Sequence, residues 1–381
     1  MNSSPLIFVL YDSVTNSIFE SQVKNVLHTM AHKNPYQPIH LVSFERYPTD
    51  RMQQIRNITI TYLKRLPFVG TASIWYATHQ LKYFLRIFPA YSMIARGPIA
   101  GLIAQKALNP QLCRQLTIQA RGLLAQEYRY TYLQSTGIMA YIHTMRAQQL
   151  DRIESKVYAS RNQSLTFLQR IFRGSQRPIQ TTIEAVSPAL KEYLIKTYGA
   201  ESASITIAHN DISHTITIEQ KNKWRTTIRA HLGIPEDWTV YCYNGSAKKW
   251  QKPDMIISFF KEKVITSDAS FLLIISTDAA TFKAIINDTI PAHNHRIISV
   301  KHHDIYQYLA AADYGLLFRD EHIINWVSRP TKVLEYHAAH LPILHNKTID
   351  YVNNIDTYLT DDVHTPVQIH KIMDLDYPSG F

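Results

Sequence analysis

The chain is 381 residues long, 45% hydrophobic and 18% charged, a balance that excludes an intrinsically disordered chain and allows sizeable buried cores. That length exceeds the usual single domain, so two are expected. The net charge of +10 is held unevenly: residues 1–190 carry 21 Lys+Arg against 8 Asp+Glu, a net +13, while residues 191–381 carry 19 against 22, a net −3.

In chain order, Asn2-Ser3-Ser4-Pro5 is polar and the apolar run Leu6–Leu10 is too short for a signal core, so no secretory leader is expected. Leu6–Leu10 reads instead as a buried strand, Ser17–His32 as a helix (Ile18, Val23, Val26, Leu27, Met30 on one face) and Ile39–Phe44 as a second strand. Residues 50–110 read as mostly helical, with Ser92–Ala95 a buried strand ahead of Arg96-Gly97. The apolar run Met93–Ala104 is interrupted by Arg96 and Pro98, and nothing reaches the roughly 20 apolar residues of a membrane span. Leu116–Ala120 reads as a strand ending at Arg121-Gly122, Ala125–Ile171 as largely helical, and Thr181–Val186 as a strand. Ser187-Pro188 then caps a helix Ala189–Tyr198, and Ile205–Ala208 closes the first sheet. The polar run His209–Lys223 is expected to be a linker between domains at 1–208 and 224–381.

The β-α-β pattern then restarts. Val240–Tyr243 is a strand, Asn244-Gly245-Ser246 a turn and Asp254–Lys263 a helix. Strands follow at Phe271–Ser276 and Ile297–Val300, a helix at Asp304–Ala312, and a strand at Tyr314–Phe318. A polar loop leads into a helix carrying Lys332 and Glu335, and Leu341–Leu344 is the last strand. Alternating strands and helices of this kind define an α/β chain with two doubly wound parallel sheets.

A strand, a polar loop and a helix start together suit phosphate, because the first helical N–H groups lack partners and the dipole favours negative charge. Ser328 is an N-cap candidate ahead of Pro330. Lys332 and Glu335 lie three apart, so they project from nearly one face. Spacing alone favours an ordinary βαβ unit with a solvated pair over a ligand site. Glycine is scarce, 11 residues where average usage of about 7% gives about 27. Gly245 therefore marks a turn where backbone geometry matters, with Lys248, Lys249 and Lys252 beside it. The Walker and dinucleotide spacings are both absent there. Four histidines (His293, His295, His302, His303) have neither cysteine partners nor zinc spacing, which favours surface or capping roles over metal. Phe84 to Phe88 with Lys82 suits either core packing or a membrane face. Cys113 and Cys242, far apart in sequence, suggest a reducing compartment, so a cytoplasmic protein is expected. The basic first half calls for an anionic partner: a membrane surface, a lipid-linked phosphate or a nucleic acid, against a merely solvated basic surface.

The ordered series is more specific than its parts. A glycine turn with lysines, Lys301-His302-His303-Asp304, AAADYGLLF, SRPTKVLEY and HLPIL follow one another in the order that resembles the C-terminal domain of GT-B glycosyltransferases of the family-four, glycogen-synthase-like (group 1) type. In the first half, Gln119–Glu127 around Arg121-Gly122 and the stretch TTIEAVSPALKEYL resemble segments of one branch of that family. IFESQV (18–23) resembles the same branch's first helix. The resemblance implies two Rossmann-like domains facing a central cleft and a retaining glycosyltransferase with a nucleotide-diphosphate sugar as co-substrate. It implies no metal or other cofactor and a glycan or lipid-linked acceptor on the basic half, whose charge suits peripheral contact with the inner face of an anionic membrane rather than nucleic acid. By the same resemblance Glu335 faces the ribose hydroxyls, and Lys332 and Ser328 face the diphosphate and sugar. Gly245, with Ser246 and Lys249 or Lys252, forms the other wall of the diphosphate site, and His302 to Ile305 lies near the base. For Arg121 and Glu127 two readings stand, contacts to acceptor or donor sugar or a pair with each other. The chain departs from the family at Val327, where many relatives carry a glutamate; Asn325 or Glu321 is the candidate to replace it. It departs again at His340, in place of a glycine, and in the missing acid before Arg121.

Overall fold

The computed structural model describes residues 4–11, 13–14, 19–48, 53–55, 57–67, 70–159, 179–208 and 215–354. The chain divides into two compact units, Met1–His209 and Asn210–Phe381.

Among its described residues unit 1 holds eight strands: β1 (Leu6–Leu10), β2 (Ile39–Glu45), β3 (Gln53–Ile55), β4 (Ile58–Lys64), β5 (Tyr91–Arg96), β6 (Cys113–Ala120), β7 (Gln180–Ala185) and β8 (Ile205–Ile207). They form one sheet of order β3-β4-β2-β1-β5-β6-β7-β8, parallel throughout except for the antiparallel edge pair of β3 with β4. The order reverses between β1 and β5. Central strands are buried on both faces, which is why β1 reads as an unbroken apolar run. Helices Thr71–Leu85, Gly97–Ala107, Gly137–Tyr158 and Pro188–Tyr198 accompany the sheet. The last is capped as its sequence predicts: Ser187 Oγ accepts from Leu190 N at 3.1 Å, Pro188 opens the helix and Gly199 closes it at φ 65°.

Residues 50–110 differ from the helical expectation, because β3 and β4 lie there. Ile58 and Ile60 are buried while Thr59 and Thr61 are only half-buried, the period-two pattern of a strand with one covered face. The helix expected over 17–32 is a π turn, Phe19–Lys24, running into Asn25–Lys33. The long helical stretch after 125 is two helices, Leu124–Thr131 and Gly137–Tyr158, broken at Gly137 with φ 61°; its end at 160–171 lies outside the described residues. Phe84 and Phe88 stack around the His40 ring, and Leu85 and Phe88 are buried. Leu85 and Phe88 are thus core, while Lys82, Arg86 and Ile87 stay exposed.

Unit 2 holds β9 (Thr239–Asn244), β10 (Ser270–Ile275), β11 (His295–Ile298), β12 (Tyr314–Leu317) and β13 (Ile343–His345) in one parallel sheet of order β11-β10-β9-β12-β13. Its strand order reverses between β9 and β12. Helix Ile218–Leu232 begins inside the run expected to be linker, held by a capping box between Thr217 and Gln220 and ended by Gly233 at φ 69°. Its Arg229 is fully buried and fully used. Nε donates to Ala311 O at 3.0 Å, Nη1 to Glu236 O and Trp238 O at 2.9 Å each, and Nη2 to Asp313 Oδ2 at 2.8 Å. Asp313 also accepts from Val240 N, so this knot fixes the helix to the entry ends of β9 and β12. Cys113 and Cys242 are both free and buried. No described helix is long and apolar enough to cross a membrane.

Candidate functional site

In doubly wound sheets ligands bind outside the carboxyl ends of the strands, where the strand order reverses. In unit 2 that place is flanked by the ends of β9 and β12, at Asn244-Gly245 and Leu317-Phe318-Arg319. The helix Thr331–Ala338 delivers two more residues to it. Lys332 and Glu335 are both buried, one turn apart on the same face.

Lys332 Nζ lies 4.0 Å from the centroid of the Tyr243 ring and donates to Gln251 Oε1 at 3.0 Å. Gly245 gives it room. At φ 153° the backbone favours glycine, and a Cβ there would come within 2.6 Å of Lys332 Nζ. Glu335 Oε2 accepts from Asn244 Nδ2 at 2.6 Å. Burial holds the Lys332 ammonium well below the usual lysine range, with Arg319 adding repulsion and Glu335 countering. Burial likewise pushes the Glu335 carboxyl up to about 7, against the pull of Lys332 and Asn244. Beneath them Tyr336 OH accepts from Asn244 N at 3.0 Å, and its ring lies against Gly315. Together these form a buried cation, a carboxylate and an open glycine backbone at one strand end.

The other expected residues divide. Ser246 is at the turn, where its Oγ accepts from Gln251 Nε2 at 2.8 Å. Lys252 takes a left-handed φ of 48° at the start of helix Pro253–Thr266, its Nζ 3.9 Å from Asp320. Lys249 is exposed in the short 3-10 turn Lys249–Gln251, so Gln251, not a lysine of that turn, meets Lys332. Asn325 is buried and donates to Asp320 O at 2.8 Å, closing the loop in the manner of a brace. Glu321 is exposed. Ser328 does not cap the helix: its hydroxyl donates to Asn325 O, Pro330 stands at the N-cap, and no side chain caps that helix start. His340 occupies the left-handed region at φ 50°, a conformation that glycine adopts at less cost. Two hydrogen bonds offset the cost, from His340 Nε2 to Ile216 O at 2.8 Å and from Lys221 Nζ to His340 O at 2.6 Å.

In unit 1, Arg121 and Gly122 follow β6 and open helix Leu124–Thr131, which carries Glu127. Arg121 Nη2 is 3.6 Å from Glu184 Oε1. A Cβ on Gly122 would collide with the Glu127 carboxylate, which folds back over the turn. That helix start is capped from a distance by Glu154, fully buried, whose oxygens accept from Leu124 N at 2.8 Å, Ala125 N at 3.4 Å and Tyr198 OH at 3.1 Å.

Sequence reasoning misses Asn244, Gln251, Arg319 and Glu154. The position of Asn244 and Arg319 at strand ends was a usable signal for the first and third. Gln251 and Glu154 gave none, since their partners are remote or depend on the turn.

Each unit is thus a Rossmann-like α/β module, and together they define the fold of GT-B glycosyltransferases. Among solved structures the chain is similar to WaaG, a glycosyltransferase involved in lipopolysaccharide biosynthesis (14% identity, TM-score 0.59, 92% of this chain and 83% of that one). It is also similar to sucrose-phosphate synthase from Thermosynechococcus elongatus (10%, TM-score 0.63, 93% and 84%). A third is Anabaena HepE in complex with UDP and glucose (11%, TM-score 0.58, 92% and 83%). No protein-family model and no curated protein sequence matches. At such identities the likeness is one of fold.

Proposed function

We propose that the protein is a retaining glycosyltransferase that moves a sugar from a nucleotide-diphosphate sugar to a glycan or lipid-linked acceptor in polysaccharide, lipopolysaccharide or glycolipid synthesis. The observation that carries this reading is the convergence of Lys332, Glu335 and the bare Gly245 backbone at the strand-order reversal of unit 2. Glu335 accepts from the ribose hydroxyls, and Lys332 with the uncapped helix start meets the diphosphate. Gly245, Ser246 and Ser328 border the donor, and Lys249 and Lys252 add positive charge. Arg121 and Glu127 belong to the acceptor side. No metal cofactor takes part.

In the transfer, the bond from the sugar C1 to the diphosphate oxygen breaks as the acceptor oxygen bonds C1 from the same face. The acceptor proton passes to the leaving diphosphate. Such chemistry asks the protein for positioning and charge stabilisation, which buried cations and helix starts supply.

Unit 1 adds a membrane contact at the cytoplasmic face. Its surplus of positive charge and the exposed Leu133, Ile138 and Tyr141 near the start of helix Gly137–Tyr158 support it. A second reading, a nucleotide-sugar-binding protein without turnover, is favoured by the fully buried Val327 where many relatives have a glutamate.

One experiment separates these. Nucleotide sugars are incubated with soluble and vesicle-borne glycans, and the anomeric configuration of any product is read by proton NMR. A product with the donor's anomeric configuration is expected, and protein that floats with anionic vesicles at low salt only. Inverted product contradicts retention, and binding without product supports the second reading.

A further inference from the structure

Arg319 is a buried cation of unit 2 with donors to spare. It follows β12 by two positions, on the opposite side of the strand-order reversal from Gly245. Its neighbour Asp320 donates its N–H to Trp250 O at 3.4 Å, so the segment packs against the turn that carries Gln251. The side chain is 7% exposed, yet Nε and Nη1 have no hydrogen-bond partner. The contrast with Arg229 is direct, because there an equally buried guanidinium spends every nitrogen on carbonyls and a carboxylate. A buried cation with idle donors is costly, and folds retain one where something else completes it.

A purely structural duty does not account for it. The loop at 319 is held through the backbone, with Arg319 N donating to Asn346 Oδ1 at 3.2 Å and Asn346 Nδ2 donating to Arg319 O at 2.7 Å. Any residue but proline at 319 would keep both bonds. Around the guanidinium are the rings and hydroxyls of Tyr243 and Tyr336 and a second cation, Lys332. The carboxylate of the cluster, Glu335, is engaged by Asn244. Two buried cations facing one committed carboxylate leave a site short of negative charge.

We propose that Arg319 is a diphosphate-binding residue, presenting its free N–H edge to the phosphate oxygens of the donor while Lys332 meets them from the other side. This rests on reading the site as a nucleotide-sugar pocket. The planar fork of N–H groups suits a phosphate, which accepts two parallel hydrogen bonds. The uncapped start of helix Thr331–Ala338 adds donors of the same sign.

The test uses inorganic pyrophosphate as probe on the full chain, with Arg319→Met and Arg319→Lys beside wild type, and a panel of nucleoside diphosphates run in parallel. Calorimetry is expected to show saturable pyrophosphate binding by wild type, at least tenfold weaker in Arg319→Met and intermediate in Arg319→Lys. The unliganded Arg319→Met variant is expected to melt no lower than wild type, since it loses an uncompensated charge and keeps the loop's backbone bonds. Equal pyrophosphate affinity in wild type and Arg319→Met, or no binding by wild type, overturns the proposal. If nucleoside diphosphates still bind in that case, the donor reading survives without Arg319. Arg319-dependent pyrophosphate binding with no nucleoside diphosphate bound would uphold the anion site and overturn the donor reading.

Discussion

Glu154 illustrates how a residue remote in sequence fixes the start of another helix. It lies near the C-terminal end of helix Gly137–Tyr158, yet its carboxyl closes the start of the helix that bears Glu127. Burial raises its pKa from 4.5 to about 7, despite three donors pulling the other way. A carboxyl whose folded pKa lies above its unfolded one contributes stability that is complete below 4.5 and lost as pH rises through about 7. Glu154→Gln cannot titrate. Its melting temperature relative to wild type is therefore expected to climb as pH goes from 4.5 to 7.5, and parallel curves would show that the carboxyl does not titrate in that window. At this scale the sequence was readable where spacing alone brings side chains together. Lys332 and Glu335 share a face because they are three apart on one helix. The place of Arg319 at a strand end was readable but its burial was not, because an arginine after a strand is ordinarily surface.

Among the elements, β12 and helix Thr331–Ala338 work as one piece. Gly315 in β12 leaves space for Tyr336, and a Cβ there would lie 2.7 to 2.9 Å from three ring atoms. Tyr336 in turn takes the N–H of Asn244 and stands one residue from Glu335. Gly315→Ala must push the ring, and with it the helix, away from β12. Overpacking of this kind costs about 1–3 kcal/mol, read as a lower denaturation midpoint, and pyrophosphate affinity should fall with it. An unchanged midpoint would mean that the ring moves freely and does not set the helix position. The strands of unit 2 were legible because parallel strands buried on both faces are continuous apolar runs. The pair β3–β4 was missed although ITITY alternates, since a half-exposed edge strand is half polar and its neighbourhood is rich in arginine and aromatics. The helix expected to begin with a Ser328 cap begins at Pro330 because the serine hydroxyl is turned back to Asn325.

At the level of the whole chain, two α/β units were legible from the restart of the β-α-β pattern, and the charge split between the halves from simple counting. The boundary was less so: helix Ile218–Leu232 grows out of a polar run that resembles a linker, because the capping box and the buried Arg229 that secure it bind partners remote in sequence. The central claim is that unit 2 binds a nucleotide sugar through Glu335. It is tested most directly by thermal shift of wild type and Glu335→Ala across a panel of nucleotide sugars. The account predicts a saturable rise in melting temperature for at least one nucleotide sugar with wild type, weakened about tenfold or more in Glu335→Ala, as expected when a charge-assisted hydrogen bond of about 1.5–3 kcal/mol is lost. No shift with any nucleotide sugar, or an equal shift in both proteins, would contradict it.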